Sequence, residues 1–357
     1  MRILITGGGG FVGSHVAEYY AKRGEEVTVF DNLSRAEILG ISPKAVMYNW
    51  SYLKNNRSVK LVKGDVRNFE AVQEIAKDKD VIVHVAGQVA VTTSVKDPKT
   101  DFEVNALGTF NVLEGARRSE MDPTIIYCST NKIYGMNVNE IAVKEGETRY
   151  YFSDKKYEKG IPEDFPVDLC EHTPYGCSKL VGDLYVQDYA HVYGLKTGVF
   201  RMSCIYGERQ FGIEDQGWVA WFTIATLAGK PITIYGDGKQ VRDILYVSDL
   251  VDAYNAFMNS KLKHGVFNLG GGQQNTLSLL ELLDILEKLT GKRTKISFDD
   301  WRLGDQKVYI SDISEAQQKL GWRPQVSPLE GVKRLTKWVQ QNMGLFETKR
   351  ILVSLGG

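Results

Sequence analysis

Tyr175 and Lys179, four positions apart in Tyr175-Gly176-Cys177-Ser178-Lys179, are the residues of this sequence whose types and spacing point most directly to chemistry. On a helix that spacing puts both side chains on one face. A phenol titrating at about 10 is a poor base at neutral pH, but an adjacent ammonium favours the phenolate, so the pair can take a proton from an alcohol and return it. Tyr-x-x-x-Lys also arises by chance on amphipathic helices, so its weight depends on its company. Upstream, Ile125-Ile126-Tyr127-Cys128-Ser129-Thr130 runs a strand pattern into a polar turn. That turn would present the hydroxyl of Ser129 or Thr130 at the C-terminal edge of a sheet, where open α/β folds bind ligands.

A second constellation suits a dinucleotide. Thr6-Gly7-Gly8-Gly9-Gly10-Phe11-Val12-Gly13 follows a strand pattern and opens a helix, so the backbone can approach a pyrophosphate at the helix N-terminus. The run satisfies G-x-x-G-x-x-G through Gly7, Gly10 and Gly13, and also G-x-G-x-x-G through Gly8, Gly10 and Gly13. Asp31, at the end of the second strand pattern and followed by Asn32, would accept hydrogen bonds from a ribose 2′-hydroxyl and repel a 2′-phosphate. That favours NAD over NADP, while Arg35 in the same loop argues the other way.

In the second half of the chain, Arg242 in Gln240-Val241-Arg242-Asp243 and Arg302 in Trp301-Arg302-Leu303-Gly304-Asp305 offer guanidinium forks suited to a diphosphate. The plainer alternative is a surface ion pair such as Arg242 with Asp243.

These groups need a frame. Short β-branched runs at 2–6, 26–30, 59–63 and 80–85 alternate with helical patterns at 11–23 and 69–77. A long helix at 101–119, a strand at 124–128, a helix at 175–193 and a strand at 195–201 follow. Such alternation predicts an α/β fold with a doubly wound parallel Rossmann sheet. Beyond residue 201 the rhythm loosens into a smaller C-terminal α/β lobe, with helical spacing at 218–228, 248–259, 277–289 and 327–341 and strands at 232–235 and 241–247. The expected partition gives 1–202 and 243–264 to the dinucleotide-binding domain, 203–242 and 265–345 to the substrate lobe, and 346–357 to a tail. Stretches 34–58 and 136–173 lack strong periodicity. The second holds Tyr150, Tyr151, Phe152 and Tyr157 among charges, and is either a lid over the substrate or a surface excursion whose aromatics pack locally.

With 357 residues, 43% of them apolar, the chain can bury a substantial core. Lys plus Arg number 44 and Asp plus Glu number 44, so no global field draws nucleic acid or an anionic membrane, and any anion must be held by local groups. Cys128, Cys170, Cys177 and Cys204 form no C-x-x-C pair and no zinc-ligand spacing with histidine, so no metal is expected. The N-terminus passes from a strand pattern straight into glycines, without a signal-peptide core, and no apolar run is long enough for a bilayer. A cytoplasmic enzyme is expected.

Taken in order, the glycine loop, Gly64-Asp65-Val66, His84-Val85-Ala86-Gly87-Gln88, Asn105-Ala106-Leu107-Gly108-Thr109, Thr130 and the Tyr175/Lys179 pair resemble an extended short-chain dehydrogenase/reductase. The resemblance implies NAD as cofactor, Thr130 as the triad hydroxyl, Tyr175 as acid/base, and Lys179 as the group that lowers its pKa and holds the nicotinamide ribose. It implies cofactor contacts from Gly7, Gly10, Phe11, Val12, Gly13, Asp31 and Asn32, from Asp65 and Val66 beside the adenine, and from Ala86, Gly87, Gln88 and Asn105. His84 reads better as a core histidine, and Asn105 equally well as an ordinary helix residue.

The arginine segments are similar to the nucleotide-sugar-binding segments of UDP-galactose 4-epimerase and its relatives, with Asp305 near the nucleotide ribose. Nucleotide-sugar 4,6-dehydratases carry Asp-Glu immediately after the equivalent threonine; Asn131-Lys132 stands here and cannot perform that elimination. Ser129-Thr130-Asn131-Lys132-Ile133-Tyr134-Gly135, the 136–173 stretch, Gln88-Val89-Ala90-Val91-Thr92-Thr93-Ser94 and Asp215-Gln216-Gly217-Trp218 resemble the CDP-paratose (CDP-tyvelose) 2-epimerases. That likeness implies inversion at C2 of a CDP-linked sugar and substrate contacts from Ser94, Thr130, Asn131, Lys132, Arg209, Gln210, Arg242, Arg302 and Asp305. It also implies a homodimer or homotetramer, and an enzyme that holds NAD through its cycle and grips the diphosphate while the sugar turns. The alternatives are a UDP-hexose 4-epimerase and a non-catalytic NAD-sensing module.

Overall fold

The computed structural model describes residues 1–39 and 43–346. Among these, strands β1 (Arg2–Thr6), β2 (Glu26–Asp31), β3 (Val59–Lys63), β4 (Val81–His84), β5 (Thr124–Thr130), β6 (Thr197–Met202) and β7 (His264–Leu269) form one parallel sheet. Their order is β3-β2-β1-β4-β5-β6-β7, the expected doubly wound arrangement. Both faces are covered, which is why β1 reads as a continuous apolar run. Ile3 and Ile5 enter one core with Val16, Tyr254 and Phe257, while Leu4 enters the other with Phe30, Val72 and Val112. Strand order reverses beside β1, and the crevice above the C-terminal ends of β1 and β4 is where such a sheet takes a ligand. Thr6, Asp31, His84, Thr130 and Met202 each end a strand at that edge.

Two expected domain boundaries move. Residues 265–269, assigned to the second lobe, pair with β6 from Gly265–Gly198 to Leu269–Met202 and complete the central sheet. Phe267 and Leu269 are fully buried there, in the same core as Ile3 and Ile5. Conversely, 243–246 belong to the lobe, because the strand Val241–Tyr246 pairs with Thr276–Ser278, Val308–Tyr309 and Cys204–Tyr206. The helix that follows, Val247–Met258, returns to the central core through Leu250, Tyr254 and Phe257. The lobe has a core of its own around Val219, Phe222, Leu282, Leu286, Val332 and Leu335.

The aperiodic 34–58 stretch contains a helix, Pro43–Lys54. Its buried positions include Asn49 as well as Leu53, a polar residue where the helical period calls for an apolar one, so the pattern was not visible. The 136–173 stretch folds largely on itself and on the lobe: Val143–Glu145 and Tyr150–Phe152 make an antiparallel hairpin. Tyr134, Ile161, Phe165 and Tyr309 form a small core, and Tyr150 packs with Val241 and Val308. Tyr150, Phe152 and Tyr157 thus pack locally. No helix among the described residues is long and apolar enough to cross a membrane. The expected tail lies outside the described residues, apart from Phe346.

Candidate active site

The glycine loop is shaped by close backbone approach. A Cβ at Gly7 would lie 2.6 Å from the Ala86 backbone, and one at Gly13 would lie 2.5 Å from the Gly7 carbonyl oxygen. Both positions therefore require glycine. No side chain caps the Phe11–Ala21 helix, so its first N–H groups are left for an anion. Asp31 accepts the N–H of Gly9 at 2.9 Å through Oδ2 and that of Leu33 at 2.7 Å through Oδ1. Burial raises its pKa against the pull of these two N–H groups. From here a cleft runs past Asn32, Val66, Ala86 and Gly87 to Tyr175 and Lys179. A glycine cradle, an open helix N-terminus, a carboxylate placed for a ribose and a phenol at the far end fit a dinucleotide along one continuous path.

Several residues expected in contact with ligands also brace this cleft. Asp65 accepts from Asn32 Nδ2 at 2.9 Å and from Arg67 Nε and Nη2 at 3.0 and 2.7 Å. Burial works against its ionisation, but Arg67 and Asn32 prevail and hold its pKa at about 2. Val66, not Asp65, lines the cleft. Asn105 lies in a single π turn, Glu103–Leu107, inside the long helical region, a common deformation at functional sites. Its Nδ2 donates to the Gln88 carbonyl (3.0 Å), Asp101 Oδ1 (3.1 Å) and Ser178 Oγ (3.1 Å), while its Oδ1 accepts the Gln88 N–H (2.9 Å).

The Gln88 amide turns inward to Asp101 (2.8 Å) and the Ala90 carbonyl (2.9 Å). Asn105 and Gln88 thus tie the loop after β4 to the helix carrying Tyr175. Ser94 is fully buried: it accepts the Tyr175 N–H at 3.1 Å and donates to the Val91 carbonyl at 2.7 Å. Its proton goes to that carbonyl, and the same oxygen helps position the start of the Tyr175 helix. His84 is the core histidine expected, bonded to Thr6 at 2.6 Å and Thr109 at 3.0 Å, with burial and then Lys179 driving its pKa down to about 3.

The Pro174–Tyr193 helix starts on Thr173, whose hydroxyl accepts the Gly176 N–H at 3.3 Å. Tyr175 sits in the first turn and Lys179 one turn on, and both are buried. Strand alternation sends Ser129 and Thr130 to opposite faces of β5. Ser129 donates to Asp183 at 2.6 Å, inside an ion pair with Arg201, which leaves Thr130 as the candidate hydroxyl for the site. Burial lifts Tyr175 to about 12, opposed by a hydrogen bond from the Thr130 side chain. Burial likewise pushes Lys179 down to about 8. The Lys179 ammonium donates to the Cys128 carbonyl and stands 4.3 Å from the centre of the Tyr127 ring. Thr130 is thus the group whose hydrogen bond opposes the rise of the Tyr175 phenol.

On the lobe side the charged residues hold one another. Arg242 Nη2 pairs with Asp305, and its Nη1 donates to the Val241 carbonyl at 2.8 Å. Asp243 is consumed elsewhere, accepting the N–H groups of Gly272 at 3.2 Å and Ser311 at 3.1 Å, so the Arg242–Asp243 pair does not form. Lys132 donates to the Gly304 carbonyl at 3.0 Å; burial lowers its pKa while Asp305 opposes. Arg302 pairs with Asp215 at 3.0 Å and lies 3.8 Å over the Tyr235 ring. Asn131 is buried beside Thr130, at 3.4 Å. Gln210 turns its amide to the Ile205 carbonyl at 3.2 Å.

Arg209 does not join this group. Its backbone turns through φ 61°, and its guanidinium pairs with Glu18 at 2.8 Å and covers the Tyr52 ring at 4.4 Å. Asn49, absent from the sequence reading, also lines the cleft.

Residues 3–270 match the NAD dependent epimerase/dehydratase family. The chain is 42% identical over 347 residues to CDP-paratose 2-epimerase of Salmonella typhi, covering 95% of this chain and 99% of that one. Its fold is similar to that of UDP-glucose 4-epimerase of Thermotoga maritima with UDP-glucose, at 30% identity and TM-score 0.79 over 96% of this chain and 100% of that one. It is also similar to UDP-glucuronic acid 4-epimerase of Bacillus cereus in complex with UDP-glucuronic acid and NAD, at 28% identity and TM-score 0.79 over 96% and 100%.

Proposed function

We propose, from the premise that this chain belongs to the NAD dependent epimerase/dehydratase family and uses NAD, that it converts CDP-paratose to CDP-tyvelose by inverting C2 through a transient 2-keto sugar. The observation that carries epimerisation is the meeting of Tyr175, Lys179 and the end of β5 at the far end of the dinucleotide cleft, with Asn131 and Lys132 rather than two carboxylates after Thr130. Without that acid and base, elimination of water has no catalyst. The 42% identity to the Salmonella typhi enzyme supports the CDP-linked sugar and C2.

Bound NAD supplies a hydride acceptor that becomes the donor for the return half of the reaction. Tyr175 takes the proton of the C2 hydroxyl and gives it back to the other epimer. Thr130 steadies the same oxygen, and Lys179, tethered at the Cys128 carbonyl, places its ammonium between β5 and the phenol's helix. Arg242, Lys132 and Arg302 hold the diphosphate, exchanging their present partners Asp305, Gly304 and Asp215 for a ligand of higher negative charge.

Proton NMR of CDP-paratose and of UDP-glucose, each incubated with the purified protein, tests this reading. Inversion of CDP-paratose at C2 is expected. Inversion of UDP-glucose alone, at C4, would replace the substrate and keep the machinery. No turnover of either, and no hydride exchange into bound NAD, would return the chain to a binding module.

A further inference from the structure

We propose that residues 208–216 form a latch that keeps NAD in its cleft between and during catalytic cycles, fastened by Arg35 and Arg209. The inference rests on the reading of NAD as an internal hydride carrier, because such a carrier must not leave in its reduced form while the sugar turns. The segment follows the lobe strand Cys204–Tyr206 and crosses back over the dinucleotide domain, where Arg209, Gln210, Phe211 and Gln216 line the same cleft as the glycine loop and Asp31.

Its fastenings come from three elements around that cleft. From the glycine-loop helix, His15 bonds the Glu208 carbonyl at 2.8 Å and Glu18 pairs with Arg209 at 2.8 Å. Burial, with Arg209 adding to it, drives the His15 pKa down to about 3, so the ring is neutral and donates its single N–H to that carbonyl. From the Pro43–Lys54 helix, Asn49 Nδ2 reaches both the Arg209 carbonyl at 3.3 Å and the Gly10 carbonyl at 3.4 Å, stitching the segment to the glycine loop itself. Tyr48 meets Phe211 edge-on at 5.6 Å. From the loop after β2, Arg35 Nη2 donates to the Phe211 carbonyl at 3.0 Å and to Gln216 Oε1 at 2.7 Å.

The chemistry of the two arginines explains why they are suited to this. Arg35 is a half-buried guanidinium whose acceptors are a carbonyl and an amide, and desolvation lowers its pKa to about 10. While the segment is closed, these two acceptors replace part of the water that such a cation gives up. Arg209 and Glu18 are 8% and 15% exposed, so their pair is largely shielded from water and salt. Arg209 Nε and Nη2 are buried without a partner among the described residues, leaving two donors unspent at the cleft wall. Arg35, which stands in the loop beside Asp31, gives its Nη2 to this segment.

The test measures exchange of labelled NAD into the purified holoprotein, without sugar, so that it is independent of which substrate the enzyme turns over. Gln216→Ala removes an acceptor of Arg35, and Glu18→Gln removes the carboxylate of Arg209. Each is expected to raise the NAD exchange rate roughly tenfold or more, the pair together by more, while Glu18→Gln keeps turnover within about twofold of the parent when NAD is supplied in excess. Arg209→Lys, which keeps the charge facing Glu18, is expected to exchange NAD more slowly than Arg209→Ala. Parent-like exchange in both Gln216→Ala and Glu18→Gln would overturn the latch. So would faster exchange accompanied by equal loss of the thermal midpoint in the NAD-saturated protein, with Arg209→Lys no better than Arg209→Ala, since that pattern describes a structural contact rather than retention.

Discussion

On the dinucleotide side of the cleft, the glycine loop offers backbone N–H groups and bare glycine surfaces, fixed by β1, β4 and the Phe11–Ala21 helix before anything binds. On the lobe side they are charged side chains already bound to one another: Arg242 to Asp305, Arg302 to Asp215, Lys132 to the Gly304 carbonyl. The first surface is preorganised and loses little on meeting its ligand; the second must trade internal partners for external ones. The difference suits the two proposed tasks, a cofactor retained through the cycle and a substrate that arrives, turns and leaves.

The sharpest way to break the comparison is at the point where the two sides meet. Tyr175→Phe is expected to cut turnover roughly 100-fold or more while NAD content and fold stay intact, measured as steady-state rate against bound NAD. Near-parental turnover would remove the phenol from the reaction. Gly13→Ala attacks the preorganised side: a methyl 2.5 Å from the Gly7 carbonyl should cost about 1–3 kcal/mol, seen as a fall in NAD affinity and thermal midpoint. Sugar binding by whatever protein remains NAD-loaded should change little.

Arg242→Ala attacks the other side and is expected to weaken nucleotide-sugar binding by about tenfold, with NAD affinity unchanged by calorimetry; the loss is limited because Asp305 already competes for that guanidinium in the parent protein. Equal loss of both affinities would erase the distinction between the sides. The smallest effect is on pH. Burial lowers Lys179 to about 8, so its ammonium is complete below that value and is lost as pH rises through it. The kcat/KM profile should therefore fall above about pH 8, and Lys179→Arg, which cannot lose its proton in that range, should remove the falling limb.

What was legible in the sequence is what is local. The glycine loop, Asp31 and the Tyr175/Lys179 pair each lie within one strand–turn–helix or one helical turn, so spacing alone places them. What was not legible depends on which distant segment receives a side chain. Arg209 was expected at the substrate, but its partners Glu18 and Tyr52 come from helices of the other domain, one of them hidden by the polar Asn49 at a buried position. Ser94, Gln88 and Asn105 sit beside the site as expected, yet their polar atoms are taken by Tyr175, Asp101, Ser178 and one another. A motif marks a neighbourhood; the hydrogen-bond partners decide whether a residue touches the ligand or holds the residue that does. β7 was misassigned for a related reason, since a buried strand reads alike in either core and only its pairing with β6 distinguishes them.

The central claim is that the inverted carbon gives up and recovers the same hydride while Tyr175 handles only the hydroxyl proton. CDP-paratose carrying deuterium at C2, turned over in ordinary water and followed by deuterium and proton NMR, tests it directly. Retention of the deuterium at C2 of both epimers at equilibrium is the predicted result. Its replacement by solvent hydrogen at the rate of epimerisation would mean inversion by proton abstraction, and would contradict the account.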